Sequence, residues 1–137
     1  MREIIFRGKR LDNGKWVEGA FCPKDCDDPF GPMVDKPSII KLSEPCDGFW
    51  FAVDPATVGQ YTGLTDKNGK KIFEGDIWDC GGCIGVIEWV KEVCSFEARY
   101  TMNGIEYANA VSDYRAAKVE VIGNIHDNPE LLEGETK

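Results

Sequence analysis

The side chains best suited to chemistry in this sequence are its six cysteines. Cys22 and Cys26 are separated by three residues, Cys80 and Cys83 by two. Thiolates at such spacings can form the knuckles of a four-coordinate zinc site. The two spacings differ, however, and the pairs stand far apart in the chain, so the pattern does not mark them as halves of one site. A tight turn at Gly81-Gly82 would put Cys80 opposite Cys83 on neighbouring strands, about 5.5 Å apart at Cα and within disulfide reach. Unbonded thiols are the leading reading in a reducing compartment, with a metal site and a disulfide as the alternatives. No metal is expected; Cys22, Cys26, Cys80 and Cys83 are the candidates if one binds. Cys46 and Cys94 have no partner by spacing and read as core or strand residues.

A cysteine nucleophile needs a base, and the chain has one histidine, His126. It stands just before Asn128-Pro129 and reads as an exposed turn residue. The acidic groups Asp54, Glu74, Asp76 and Asp79 could pair for acid–base work or hold a hard cation. Asp before Pro caps a turn, and Glu-Gly-Asp opens a strand, so structural use is the expectation. Gly81-Gly82-Cys83-Ile84-Gly85 lacks the lysine-serine and the helix of a phosphate loop. No serine elbow is present. The sequence therefore offers no catalytic constellation, and neither catalytic residues nor a cofactor are expected.

These side chains must be positioned by strands. Of the residues, 42% are hydrophobic and 29% charged, the balance of a packed globular chain. Asn-Gly pairs at Asn13-Gly14, Asn68-Gly69 and Asn103-Gly104 predict two-residue hairpin turns, because both residues tolerate positive φ. The flanks are β-branched and aromatic: Ile4 to Phe6 before the first pair, Ile72-Phe73 after the second, Phe96 to Tyr100 and Ile105 to Tyr107 around the third. Gly81-Gly82 predicts a further turn, with Ile77 and Val86 paired on the core face. No stretch keeps a helical period for three turns. Short helical turns are expected after Asp54-Pro55, between Ala110 and Ala117 with Ser112 or Asp113 as cap, and after Asn128-Pro129 with Asn128 as cap.

The prolines between Cys22 and Ser38 make that stretch an irregular loop. The resulting organisation is an N-terminal β subdomain over 1–52, a second β domain over 53–132 and a frayed tail over 133–137. Asn13-Gly14-Lys15-Trp16-Val17-Glu18-Gly19 faintly echoes Asn68 to Gly75. Shared hairpin chemistry, with a glycine where the strand bends, explains the echo; two copies do not make a repeat architecture.

Several ordered motifs carry a resemblance. They are Arg2-Glu3-Ile4-Ile5-Phe6-Arg7-Gly8, then Val53-Asp54-Pro55 through Val58-Gly59-Gln60-Tyr61-Thr62-Gly63-Leu64, then Asp66-Lys67-Asn68-Gly69-Lys70 and Glu74-Gly75-Asp76-Ile77. The Trp16-Val17-Glu18-Gly19 strand, Gly85 to Trp89 and Glu120-Val121-Ile122-Gly123-Asn124-Ile125-His126-Asp127-Asn128-Pro129-Glu130-Leu131-Leu132 complete the set. Together they resemble the YopX family of phage and prophage proteins. The resemblance implies an all-β fold with an N-terminal β subdomain and a partly open SH3-like barrel. It implies no established activity, cofactor or catalytic residue.

Net charge is −8, so phosphate backbones are repelled unless basic residues cluster. Lys67, Lys70 and Lys71 are the densest basic group and read as a solvated turn. No apolar run reaches the length of a membrane span, and Met1 to Arg7 carry charges where a secretory signal is apolar. The expected setting is the cytoplasm of a bacterial host. Phe49, Trp50 and Phe51, flanked by Asp47 and Asp54, form a possible interface: an apolar centre with an acidic rim. The expected role is a non-enzymatic accessory protein that binds a protein partner or itself. A nucleic-acid-associated barrel is the alternative, and it would need basic residues beside aromatics.

Overall fold

The computed structural model describes residues 4–22, 37–41, 49–79, 81–102 and 104–133, with backbone alone at 41, 49, 50 and 133. It is mostly strand, as the turn signals predict, and its helices span only three or four residues each. The chain forms two compact units, Met1–Tyr61 and Thr62–Lys137.

In the first unit, β1 (Phe6–Lys9) and β2 (Trp16–Cys22) form an antiparallel hairpin. Beside β2 lies β3 (Ser38–Lys41), and β4 (Phe49–Ala52) follows at the end of the sheet. On the other side, β5 (Gly59–Thr65) pairs with β1 through Phe6↔Gln60 and Arg7↔Gly59. The division between the units falls inside β5. Val17, Ile39 and Val53 make the buried core, with Phe6, Phe21, Phe51 and Val58 packed against it. Gly19 is required by proximity: a Cβ there would lie 2.0 Å from the Ile40 carbonyl oxygen on β3. Its counterpart in the sequence echo, Gly75, has φ +90 instead. The two glycines therefore do different jobs, and the echo is one of composition.

The start of the family signature ties off this unit. Asp54 caps a 3-10 turn, Pro55–Thr57, by accepting the Ala56 N–H at 3.0 Å, with Pro55 at the first helical position. The buried Thr57 hydroxyl accepts the Lys9 N–H at 2.9 Å and donates to the Asp54 carbonyl at 2.6 Å. One three-residue turn thus satisfies a donor at the end of β1.

The second unit holds β6 (Lys71–Phe73), β7 (Asp76–Asp79), β8 (Ile84–Val90), β9 (Ser95–Met102), β10 (Ile105–Ala110) and β11 (Glu120–Asn124). Five of these form one antiparallel sheet, ordered β10-β9-β8-β7-β11. The predicted Ile77↔Val86 pair is present. Helix α1 (Asp113–Ala116) starts at Ser112, whose hydroxyl accepts the Arg115 N–H, and it buries Ala116. Ala116 joins Ile72, Trp78, Ile87, Phe96, Ala98, Val119 and Val121 in the core. Helix α2 (Glu130–Glu133) follows Asn128-Pro129, and the Asn128 side chain reaches both ways: its Nδ2 donates to Glu130 Oε1 at 3.5 Å. Asn128 Oδ1 accepts the Asn124 N–H at 3.3 Å, while the Asn128 carbonyl accepts from Leu131 at 3.1 Å.

The first two Asn-Gly turns differ from the two-residue hairpins that their sequence suggests, whereas the third pair stands between the paired residues Met102 and Ile105, the spacing predicted. Such turns need positive φ at both central residues. Gly14 (φ 70) and Gly69 (φ 80) have it, but Cys94 is the only non-glycine with positive φ among the described residues. At the second pair, Gly69 N–H donates to the Asp66 carbonyl at 3.0 Å and Asp66 N–H to the Lys70 carbonyl at 2.8 Å. That is a three-residue loop, a tight turn followed by a left-handed glycine. Asp66 selects it: its Oδ1 accepts the Asn68 and Lys70 N–H groups at 2.8 and 2.9 Å, an arrangement a two-residue loop would lack. Arg10 and Lys15 close the first loop through the Arg10 N–H to Lys15 carbonyl bond, 2.9 Å. Asn103 lies outside the described residues.

Candidate functional site

The described cysteines, Cys22, Cys83 and Cys94, give no assembled site. Cys22 is buried at the end of β2, and Cys83 is half-buried beside the Gly81-Gly82 turn. Cys26, Cys46 and Cys80 lie outside the described residues, as does the proposed Cys80–Cys83 pairing. Cys94 is neither core nor strand: it is exposed at φ 49 in the turn after β8. There its N–H donates to the Lys91 carbonyl at 3.3 Å, closing a turn that a non-glycine residue rarely adopts. Among the described residues, no three His, Cys, Asp or Glu side chains are grouped to hold a metal ion.

The signature carboxylates serve the backbone. Asp76 is 1% exposed, and its Oδ2 accepts the Phe73 N–H at 2.7 Å. Asp79 Oδ1 accepts from Gly81 at 2.8 Å and Gly82 at 3.3 Å, which holds its carboxyl below the ordinary value of 3.8. Asp66, absent from the sequence-derived candidates, is the hub. Besides the two N–H groups of its own loop, its Oδ2 accepts the Val121 N–H at 3.0 Å, tying the loop to β11. Burial raises its pKa, but the N–H donors of Val121, Lys70 and Asn68 outweigh burial and hold it below 3.8. The spacing Asp66-Lys67-Asn68-Gly69 is itself an Asx-turn signal and could have found it.

His126 is half-buried, more enclosed than a turn position suggests. Its Nε2 lies 3.7 Å from where a Cβ on Gly75 would stand. Asn124 Oδ1 accepts the His126 and Asp127 N–H groups at 3.0 and 2.9 Å, so Gly123 to Asn128 forms a turn bonded to itself. In the first unit, Phe51 is half-buried against the core, with the Arg10 guanidinium 4.2 Å from its ring centre. The side chains of Phe49 and Trp50 lie outside the described residues; their backbone is in β4.

The surface that sequence reading missed is the β9–β10 hairpin. Cross-strand partners share a face of a sheet. The pairs Trp78↔Gly85, Gly85↔Tyr100 and Tyr100↔Tyr107 therefore form one row across four strands. Gly85 leaves room for the Trp78 indole, since a Cβ would sit 2.5 Å from its Nε1. Tyr100 and Tyr107 stack with centroids 5.4 Å apart at 16°, and Asn109 Nδ2 donates to the Tyr100 hydroxyl at 2.7 Å. At the lower end this face is core, through Ala98 and Phe96. At the upper end it emerges uncovered: Met102 is 43% exposed, Ile105 57% and Tyr107 41%. The opposite face is polar, with Arg99 paired to Glu88 at 3.0 Å and to Glu106 at 3.2 Å. The alternation Phe96-Glu97-Ala98-Arg99-Tyr100 announces two unlike faces. It cannot announce that only part of the apolar face is covered.

Beside this row runs a cleft of about 350 Å³. Trp78, Ala98 and Val119 form its floor, Tyr100, Met102 and Asn109 one wall, and Tyr114, Arg115 and Lys118 the other. Tyr114 is 71% exposed. Lys118 Nζ donates to its hydroxyl at 2.5 Å and lies 3.8 Å from its ring centre. The charged residues of this lining are cations, on a chain of net charge −8.

Among the described residues no helix is long and apolar enough to cross a membrane. No curated protein is similar enough to the chain to count as a match. Protein EF1440 from Enterococcus faecalis, known from a crystal structure, is 26% identical, with 96% of this chain and 99% of that one covered at a TM-score of 0.45. The profile described as YopX protein matches residues 6–133, which takes in every motif from Phe6 to Pro129, and the chain belongs to this family of phage and prophage proteins.

Proposed function

We propose that the protein is a non-enzymatic accessory factor that works in the host cytoplasm by binding another protein chain or a second copy of itself. The carrying observation is the β9–β10 hairpin: one face ion-paired and polar, the other apolar and left exposed at Met102, Ile105 and Tyr107. Scattered exposed apolar residues are ordinary, but a contiguous row continuing a core face is the signature of a contact surface. Five antiparallel strands, with β11 returning to the β7 edge, support reading the second unit as a partly open SH3-like barrel. The edges of such a barrel are available to partners. Three of the four candidate carboxylates, Asp54, Asp76 and Asp79, are occupied by backbone donors, which supports a binding role over a catalytic one. Light scattering across a concentration series tests self-association. A photo-crosslinking residue placed at Tyr107, followed by capture from host lysate, tests a partner. A chain that stays monomeric and crosslinks to no protein would contradict the reading.

One observation favours the nucleic-acid alternative. The Trp16 ring has the Arg7 guanidinium 4.7 Å and the Lys9 ammonium 5.6 Å from its centre, the basic-aromatic pairing that single strands use. Arg7 is only 9% exposed, however, and Glu18 stands opposite it on β2, so little of its charge is presented to a phosphate. Quenching of tryptophan fluorescence by an oligothymidylate, lost with rising salt and with Trp16→Ala, would favour this alternative over the protein-binding reading.

A further inference from the structure

Within the protein-binding reading, on which this inference rests, we propose that the cleft takes an extended segment of a partner protein. That segment adds a strand to β10 and carries an apolar side chain flanked by carboxylates. Three observations converge on it. First, β10 ends its sheet, so among the described strands the outer edge of Ile105–Ala110 has no neighbour, and its backbone groups can receive another strand. Second, the cleft, to which β10 contributes Asn109, is lined by Trp78, Val119, Tyr100 and Met102, which suits one apolar anchor. Its volume of about 350 Å³ is at the small end of ligand sites, the scale of a side chain with its flanks.

Third, charge selects the flanks. Arg115 and Lys118 are exposed on the rim, and neither makes an ion pair among the described residues, whereas Arg10, Lys67 and Arg99 each have a carboxylate partner. The whole chain is acidic and would repel an acidic partner from a distance. That field is screened beyond about 10 Å at 0.1 M salt, so a segment lying in the cleft responds to these two cations. A basic segment would be attracted from afar and then meet like charge at the point of contact. Asp113, exposed at the start of α1, is the nearest acidic residue along the helix, and it is not part of the cleft lining.

The test uses the full chain and a fluorescent hexapeptide alternating aspartate with phenylalanine or leucine, together with its lysine twin. The acidic peptide should bind about tenfold tighter than the twin, and the double variant R115E/K118E should reverse that order. Methylating the peptide nitrogens along one edge should abolish binding, and along the other edge should leave it. Met102→Asp, at an exposed position, should weaken the acidic peptide about tenfold with the circular dichroism spectrum unchanged. Equal affinity for both peptides, no binding of either at millimolar concentration, or indifference to the charge reversal would overturn the proposal. If instead the chain dimerises, is made monomeric by Met102→Asp and ignores both peptides, the occupant is a second copy. The segment assignment then fails while the protein-binding reading stands.

Discussion

The Asp66–Lys70 loop and the β9–β10 hairpin lie in the same unit and are both strand-turn-strand segments built around an Asn-Gly pair, yet they are finished in opposite ways. In the loop, a buried carboxylate gathers N–H groups from Asn68, Lys70 and Val121, and the polarity is turned inward and satisfied. In the hairpin, the polar side is exposed and ion-paired, and the apolar side is exposed too. The first arrangement spends its chemistry on holding the fold. The second leaves surface without a partner. The family signature falls on the first, and the proposed function falls on the second.

The sharpest way to break this comparison is to remove the hub. Asp66→Ala strands three N–H groups, two of them in the loop and one on β11, and should cost about 3–5 kcal/mol by urea denaturation. A loss below about 1 kcal/mol would show that the loop is held by something other than Asp66. Acid sharpens the same point. The folded pKa of Asp66 is depressed, because N–H donation exceeds the opposing effect of burial. The unfolded chain therefore takes up the proton first as pH falls. The stabilisation is fully present above the ordinary value of 3.8 and is lost as pH drops through the lower, folded value. The stability gap between the native chain and Asp66→Asn should hold between pH 7 and about 5 and narrow below about 4. A gap that widens in acid would reverse the assigned direction.

Two glycine changes come next. Gly85→Ala brings a Cβ to 2.5 Å from the Trp78 Nε1 and should cost about 1–3 kcal/mol, with a shift in tryptophan emission as the ring moves. It also disturbs the cleft floor, so it alone among the stability variants should weaken peptide binding. A Cβ at Gly69 meets no atom within 4 Å, so the cost of Gly69→Val is chiefly backbone strain at φ +80, about 1–2 kcal/mol. A melting temperature unchanged by Gly69→Val would remove the left-handed turn from the account. The smallest stability effect belongs to Tyr107→Asp on the hairpin. It should change stability by less than about 1 kcal/mol while lowering partner binding at least about tenfold.

How much of this was legible in the sequence depends on the range over which each feature is determined. Local chemistry read well: Asp54-Pro55 caps its turn, Ser112 caps α1, and Ile77 meets Val86. The first two Asn-Gly turns were placed correctly and typed wrongly, while the third has the two-residue spacing expected. A carboxylate two positions before Asn68 stabilises the longer loop, and pair statistics do not see it. Cys94 was misread because an apolar residue inside a strand-rich stretch looks like core, yet it occupies a left-handed turn. The hairpin face was hidden for a different reason. Residues 96–102 alternate as any half-buried strand does, and the four-residue α1 adds Ala116 to the core while Met102, Ile105 and Tyr107 stay exposed. Coverage of a face is a property of what packs on it, and no local pattern in β9 or β10 encodes that.

The most direct test of the central claim is hydrogen–deuterium exchange on the full chain with and without the acidic peptide. Protection should rise along Ile105–Ala110 and at the α1 end near Arg115, while Asp66 to Lys70, already bonded, exchange at the same slow rate in both states. Protection appearing at Asp66 to Lys70 and absent from Ile105–Ala110 would contradict the assignment of folding to one region and binding to the other.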